Sequence, residues 1–499
     1  MRDIWVAASF RRDLARFGGL SYGPAVRGLV LCSFLPLFLS CARAEPRAEA
    51  SPPARKSEPV AQPSAVVTAA PSGPAAAPSA AASITASTPA ATPAAETKAR
   101  VYAKTRFVWI RQEPDASKQW IGYLWTGESA PLVTGRPVYG PGCMTWYAVE
   151  PVGFVCVDGL RATLDEQDAG YVAVKKYAAD LSSAWPHQYG EARKLTRVFA
   201  LEGSPLAFPN LPNSVHDSRT ELRRGSTVAF VDEVKTSAAD YLLGADLSYF
   251  PKQLVTPFPH YEYQGLELGK DVKLPLALFR GQDRPKLRRD GDTFSETGDK
   301  FARLSHVALT GKDARVSGER FLETADGTWV REKDAVVPVA ADHAPWGSAE
   351  PKGRGTWIEV SVTGGWLIAY ENLTPVFTTL ISPGRGGPAK PGEDPIEEAR
   401  TPLGVFPVSG KFATATMEAP GNLIHTAVPW TQNFSGPHAL HAAYWHDDWG
   451  NPKSGGCVNV SPLDGKRLFA WTDPPLPEGW HGVRWMPWRG PATVMLIHR

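Results

Sequence analysis

The chain has 499 residues, enough for two or three domains, and carries 53 Lys and Arg against 51 Asp and Glu. A formal net charge of +2, with no basic tract interleaved with aromatics, implies no polyanion- or nucleic-acid-binding role. Seventeen tryptophans against five methionines point to a mostly β, aromatic-packed protein.

At the N-terminus, Arg27 precedes an apolar run from Leu29 to Leu39, broken only by Cys32, Ser33 and Pro36. The run is short for a membrane span and suits an export signal, so residues 1–41 read as a signal peptide. Phe38-Leu39-Ser40-Cys41 resembles a bacterial lipobox, which implies an acylated Cys41 and a membrane-anchored lipoprotein. Ala42-Arg43-Ala44 offers an ordinary cleavage site as the competing reading. Residues 42–99 are dominated by Ala, Pro, Ser and Thr and have too few large apolar side chains to offset ordering entropy. They read as a disordered, semi-extended tether.

Residues 100–165 alternate short apolar runs with Gly- and Pro-bearing turns, the pattern of a small antiparallel β-barrel. The succession of Ile121-Gly122-Tyr123-Leu124, Cys143, Trp146 and Val155-Cys156 resembles bacterial SH3-like modules, whose role would be docking or spacing. In an exported protein the near pair Cys143 and Cys156 is expected to form a disulfide, leaving Cys457 as a reactive thiol; two reduced core cysteines are the alternative. Residues 171–345 form a further β-rich region of unknown role, opened by a helix over 171–184. There, Thr227 to Val231 and Leu274 to Phe279 read as strands and Lys286 to Asp292 as a solvated turn. His216, His260 and His306 lack metal-ligand spacing, and neither a metal nor an organic cofactor is expected.

Residues 355–499 begin with three strand-like runs, Trp357 to Val362, Gly365 to Tyr370 and Val376 to Ile381, separated by Gly- or Asn-bearing turns. Cys457 follows His441 downstream, preceded by Gly455 and Gly456, which allow a tight turn and close approach of backbone N–H groups. Ser461-Pro462-Leu463-Asp464 reads as a helix start, whose dipole would favour a thiolate if its axis pointed at the sulfur. Short motifs alone also fit a buried structural cysteine and a hydrogen-bonded histidine.

The segment resembles the signature of L,D-transpeptidases, the YkuD-like enzymes: His, a loop, then Ser/Thr-His-Gly-Cys-hydrophobic-Asn/Arg. Ser454, Gly456, Cys457, Val458 and Asn459 match it, with His441 upstream. The likeness extends through Thr401 to Gly404 and Val428 to Trp430. Gly455 departs from it, standing where the family has a second histidine, and Ala442 departs where Gly or Ser is commoner. The resemblance implies a C-terminal β-sandwich with Cys457 as nucleophile and His441 as base. The backbones of Gly455, Gly456, Cys457 and Ala442 would support the reaction, and Ser454, Asn459, Trp430 and Tyr444 would shape the site. Trp430 and Phe434 are expected on a flap over the site, and His438 and His446 are the alternative bases. The implied partners are peptidoglycan stem peptides as donor and acceptor. Hydrolysis of those peptides, and wall binding without catalysis, stay open.

Overall fold

The computed structural model describes residues 98–197, 221–237, 239–347, 349, 353–419 and 421–499, which fall within one compact unit. The signal segment with Cys41, the tether as far as residue 97, and His216 lie outside the described residues.

The expectation of a mostly β protein holds. In the N-terminal region, β1 (Val108–Arg111), β2 (Trp120–Leu124), β3 (Cys143–Ala148) and β4 (Phe154–Cys156) pair antiparallel in the order β2-β1-β4-β3. Val108, Ile110, Ile121, Leu124 and Val155 fill its core, and a disulfide joins Cys143 to Cys156 with Cα atoms 5.9 Å apart. The helix expected over 171–184 is shorter: α1 spans Ala169–Lys175, capped by the Asp168 side chain, which accepts from the amides of Gly170 and Tyr171. Beyond it the Asp180 carboxylate accepts from the Ser182 amide, a turn that competes with helix. Then come β5 (Gln188–Ala192), β6 (Thr227–Lys235) and β7 (Asp240–Gly244). A separate six-stranded sheet runs between Leu276 and Arg331. Its strand Arg284–Asp290 contains most of the segment read as a turn, because charged residues line an exposed hairpin with Thr293–Phe301.

The C-terminal region contains β8 (Thr356–Ser361), β9 (Trp366–Glu371), β10 (Thr374–Leu380), β11 (Gly404–Pro407), β12 (Gly410–Ala419), β13 (Leu423–Ser435), β14 (His438–Ala442), β15 (Val458–Val460), α2 (Pro462–Trp471), β16 (Gly482–Arg484) and β17 (Val494–His498). One sheet has the order β10-β9-β8-β17-β11, with β8 and β17 parallel. Its Ile358, Val360, Leu367, Met495 and Ile497 pack against Phe434, Leu440, Val458, Val460 and Leu468 from β13, β14, β15 and α2. Its other face is covered too, since Trp357, Ile368 and Tyr370 meet Leu276, Leu278 and Tyr263 from the middle region. Every residue of β8 is therefore buried, and its sequence shows no simple alternation.

The second sheet is continuous across all three regions, in the order β7-β6-β13-β12-β16-β2-β1-β4-β3. β2 pairs with β16 through Gly122 and Tyr123, and β6 pairs in parallel with β13. A buried polar group seals the first junction: His481 lies 2.7 Å from a Glu128 oxygen through Nδ1 and 2.8 Å from the Thr414 hydroxyl through Nε2.

Candidate active site

β14 and β15 run side by side in parallel, with Leu440 opposite Val458 and His441 opposite Asn459. Leu440 and Val458 enter the sandwich core, so alternation turns His441 and Asn459 to the opposite face. Cys457 immediately precedes β15, where the Ala439 amide, two residues from His441 on the neighbouring strand, favours its charged form. The fold thus places the Cys457 thiol and the His441 imidazole one two-residue step apart across a single ladder.

The imidazole is oriented by its own strand. Its Nδ1 lies 3.1 Å from the carbonyl oxygen of Ala442. A carbonyl only accepts, so Nδ1 carries the proton and Nε2 keeps its lone pair. Ala442 is itself fixed from behind by α2. A Cβ on Gly465 would stand 2.8 Å from the Ala442 Cβ, so helix and strand approach this closely only because residue 465 has no side chain. Ser461 caps that helix, its hydroxyl accepting from the Asp464 amide at 3.1 Å.

Burial controls the charges. It lowers His441 to about 4, against a smaller opposing effect of the Ala442 carbonyl, and raises the Cys457 thiol to about 11, partly offset by the Ala439 amide. The resting pair at neutral pH is therefore thiol and imidazole, both uncharged. α2 does not generate a thiolate: the three residues of β15 separate its N-terminus from Cys457, and the Ser461 hydroxyl already accepts from its Asp464 amide.

The loop before the thiol is held by backbone and by Ser454. The Ser454 amide donates to the Pro383 carbonyl at 3.0 Å, and its hydroxyl donates to the Cys457 carbonyl while accepting from the Gly456 amide at 3.0 Å. The Gly456 N–H is thus engaged within the loop and unavailable to an oxyanion, contrary to the sequence reading. The amides of Gly455 and Cys457 donate to no acceptor among the described residues. Gly456 must be glycine: its φ is +124°, and a Cβ would stand 2.7 Å from both the Arg400 carbonyl oxygen and His438 Nε2.

Of the other residues singled out, Asn459 lies beside His441, its side-chain amide 3.3 Å from His446 Nε2. Tyr444 is buried and stacks on Tyr189 at 3.8 Å, shaping the loop after β14. Trp430 is not on a flap. It is buried in β13 against Ala442 and Phe469, its indole N–H donates to the Ala184 carbonyl at 2.9 Å, and Phe434 is buried in the sandwich core. The long β12–β13 ribbon pairs with β16 on one side and with β6 and β14 on the other. His438 is directed at the back of Gly456, away from the His441 face, and donates from Nδ1 to the Ser435 carbonyl at 3.1 Å.

The sequence reading missed the contribution of the middle region. Trp445 is surrounded by three imidazoles, those of His425 at 4.6 Å, His441 at 5.8 Å and His446 at 6.4 Å. His425 is tied through Nδ1 to the Thr227 hydroxyl on β6 at 3.0 Å. Burial lowers His425 and His446 to about 4 as well, so these imidazoles too are uncharged at neutral pH. No signal in spacing could reveal this, because sheet pairing joins residues 198 positions apart. Among the described residues no group of His, Cys, Asp and Glu could hold a metal.

Residues 355–484 match the family model of the YkuD L,D-transpeptidase catalytic domain. Similar solved structures include an L,D-transpeptidase from Xylanimonas cellulosilytica, 21% identical over 30% of this chain and 65% of that one, with a TM-score of 0.21. A mutant L,D-transpeptidase of Enterococcus faecium is 22% identical over 29% of this chain and 49% of its own, with a TM-score of 0.21. An L,D-transpeptidase from Mycobacterium tuberculosis H37Rv is 14% identical over 38% and 77%, with a TM-score of 0.22. This chain spans about half to two thirds of the first two. No curated protein matches the chain.

Proposed function

We propose that the YkuD domain at residues 355–484 is a cysteine acyltransferase, an L,D-transpeptidase acting on peptidoglycan stem peptides in the cell envelope. The observation that carries this reading is the tautomer of His441. Its Nδ1–H is committed to the Ala442 carbonyl, so Nε2 is left as a base on the face that carries Cys457.

With both groups neutral at rest, the thiol proton moves to His441 Nε2 as sulfur attacks the donor carbonyl that links the diamino acid to D-alanine. The amides of Cys457 and Gly455 receive the developing oxyanion. The C–N bond then breaks, His441 returns the proton to the departing D-alanine amine, and a thioester remains on Cys457. An acceptor amine attacks the thioester and loses its proton to His441; the C–S bond breaks, and the proton returns to the thiolate. The chemistry requires no cofactor. The uncharged resting pair suits a buried site, because charge appears only as substrate excludes water.

The same reading places the protein outside the cytoplasm, anchored by a lipid on Cys41, with residues 42–99 as a tether. The module at 100–165 is SH3-like and serves as a spacer or wall-docking unit fused to the catalytic sheet through β2 and β16.

Incubating the full chain with disaccharide-tetrapeptide and weighing the products decides among the readings. Cross-linked dimers with released D-alanine are expected. Tripeptide alone would make the protein a hydrolase of the same chemistry, and unchanged substrate with a folded protein would leave it a wall-binding protein.

A further inference from the structure

Tyr189, Thr227 and their described neighbours between Tyr177 and His260 have no part in the reaction just described, yet they pack against β13 and the loop after β14. β6 lies parallel to β13 with Thr227 opposite His425. The Tyr444 hydroxyl donates to the Thr426 carbonyl at 3.1 Å and so accepts from the Thr227 hydroxyl at 2.7 Å, which leaves Thr227 to accept from His425 Nδ1 at 3.0 Å. The same region grips two residues of β13 in left-handed backbone conformations, Ala427 at φ 45° and Trp430 at φ 56°. The Tyr189 hydroxyl donates to the Ala427 carbonyl at 3.2 Å, and the Ala184 carbonyl accepts from the Trp430 indole.

Around these contacts the rings are only half-buried. Trp185, Phe258 and Trp445 pack against the Tyr189–Tyr444 stack, and Trp185 lies parallel to exposed His260 with ring centres 4.4 Å apart. At its other end Trp445 reaches His441. An aromatic wall therefore leads away from His441, its half-buried rings joined through the buried Tyr189–Tyr444 stack and drawn from three segments of the chain.

We propose that this wall is a saccharide subsite, which holds the amino-sugar ring bearing the stem peptide while the peptide carbonyl lies at Cys457. The proposal rests on the reading of the site as one for peptidoglycan. A pyranose presents a C–H face that fits flat against an aromatic ring and a rim of hydroxyls that need polar partners. The wall offers both, with the exposed His260 ring and the adjacent Tyr261, whose hydroxyl feels the Asp447 carboxylate that Arg303 holds at 2.7 Å. The charge of Arg303 at this rim is already met by Asp447 at 2.7 Å, so the wall suits a neutral ring better than the carboxylates of the stem peptide.

The test compares two donors, disaccharide-tetrapeptide and the same tetrapeptide without sugar, on the full chain and on Trp185→Ala and His260→Ala. The preference for the sugar-bearing donor, as a ratio of kcat/KM values, should fall about tenfold in each variant, mainly through KM. His260 is exposed, so its variant keeps the test meaningful if Trp185→Ala fails to fold. Saturation-transfer NMR with the peptide-free disaccharide gives a second readout that needs no turnover, with signal expected for the wild type and lost in His260→Ala. An unchanged preference, or a wild-type chain that gives no transfer signal, would overturn the subsite. A wild type inert toward both donors yet showing transfer lost in the variants would instead refute the transpeptidase reading and keep the subsite.

Discussion

Replacing Gly465 with alanine should weaken this protein even though it improves the helix. In an exposed helix interior the change would stabilise by about 1 kcal/mol, because glycine has the larger backbone entropy to lose. Here the new Cβ would stand 2.8 Å from the Ala442 Cβ and 3.3 Å from its Cα, well inside ordinary contact. Neither atom can swing away, since Ala442 is in β14 and is completely buried. Relief must come from moving the strand or the helix by several tenths of an ångström, at an overpacking cost of about 1–3 kcal/mol. The net expectation is a destabilisation of about 1 kcal/mol, read as a lower denaturant midpoint with an unchanged slope. Activity should fall further than stability, by about tenfold in kcat, because the Ala442 carbonyl orients His441 and small misplacements of a base are costly. The double variant Ala442→Gly with Gly465→Ala removes the offending contact and should recover most of the loss, a coupling visible in a double-mutant cycle. A Gly465→Ala protein that is more stable and fully active would refute the argument that this helix holds the base in place.

The pH profile follows from the uncharged pair: His441 must be neutral to accept the proton, so turnover should persist to mildly acidic pH and be lost as pH falls through about 4. Alkylation of Cys457 should rise towards pH 11, where the thiolate forms, and a plateau already at neutral pH would mean an ion pair instead. Burial raises Asp464 from the usual 3.8 to about 6, so its contribution to stability is fully present below about pH 4 and is lost as pH rises through about 6. Two units correspond to about 3 kcal/mol, and Asp464→Asn should abolish that slope in unfolding measurements. Glu128→Ala should cost about 3 kcal/mol by stranding buried His481 and the Trp125 amide, with one cooperative melt lost earlier rather than two separate transitions.

Cys457 and His441 could be singled out in the sequence because the pattern that carries them is local. Cys457, His441 and the Ala442 carbonyl lie within one strand–loop–strand unit, and a short motif carries all three. The three runs read as strands between Trp357 and Ile381 are β8, β9 and β10 for the same reason. What escaped the sequence depends on long-range pairing. Thr227, Tyr189 and Trp185 reach the site only because β6 joins β13, and nothing local to them signals a partner so distant in the chain. Trp430 was misplaced because a tryptophan near a motif looks the same on a flap as in a core; its indole bond to Ala184 decides the matter. The Gly456 amide was misassigned because Ser454 intercepts it, a side-chain geometry that spacing does not reveal.

The most direct test of the central claim is the intact mass of the protein mixed with excess tetrapeptide donor and quenched in acid. Wild type should gain the mass of the tetrapeptide less D-alanine, mapped by fragmentation to Cys457, and Cys457→Ser should gain nothing that hydroxylamine can release. His441→Ala should acylate far more slowly at neutral pH, because the thiol has no base to take its proton. An adduct that forms at the wild-type rate in His441→Ala, or that maps to any residue other than Cys457, would contradict the account.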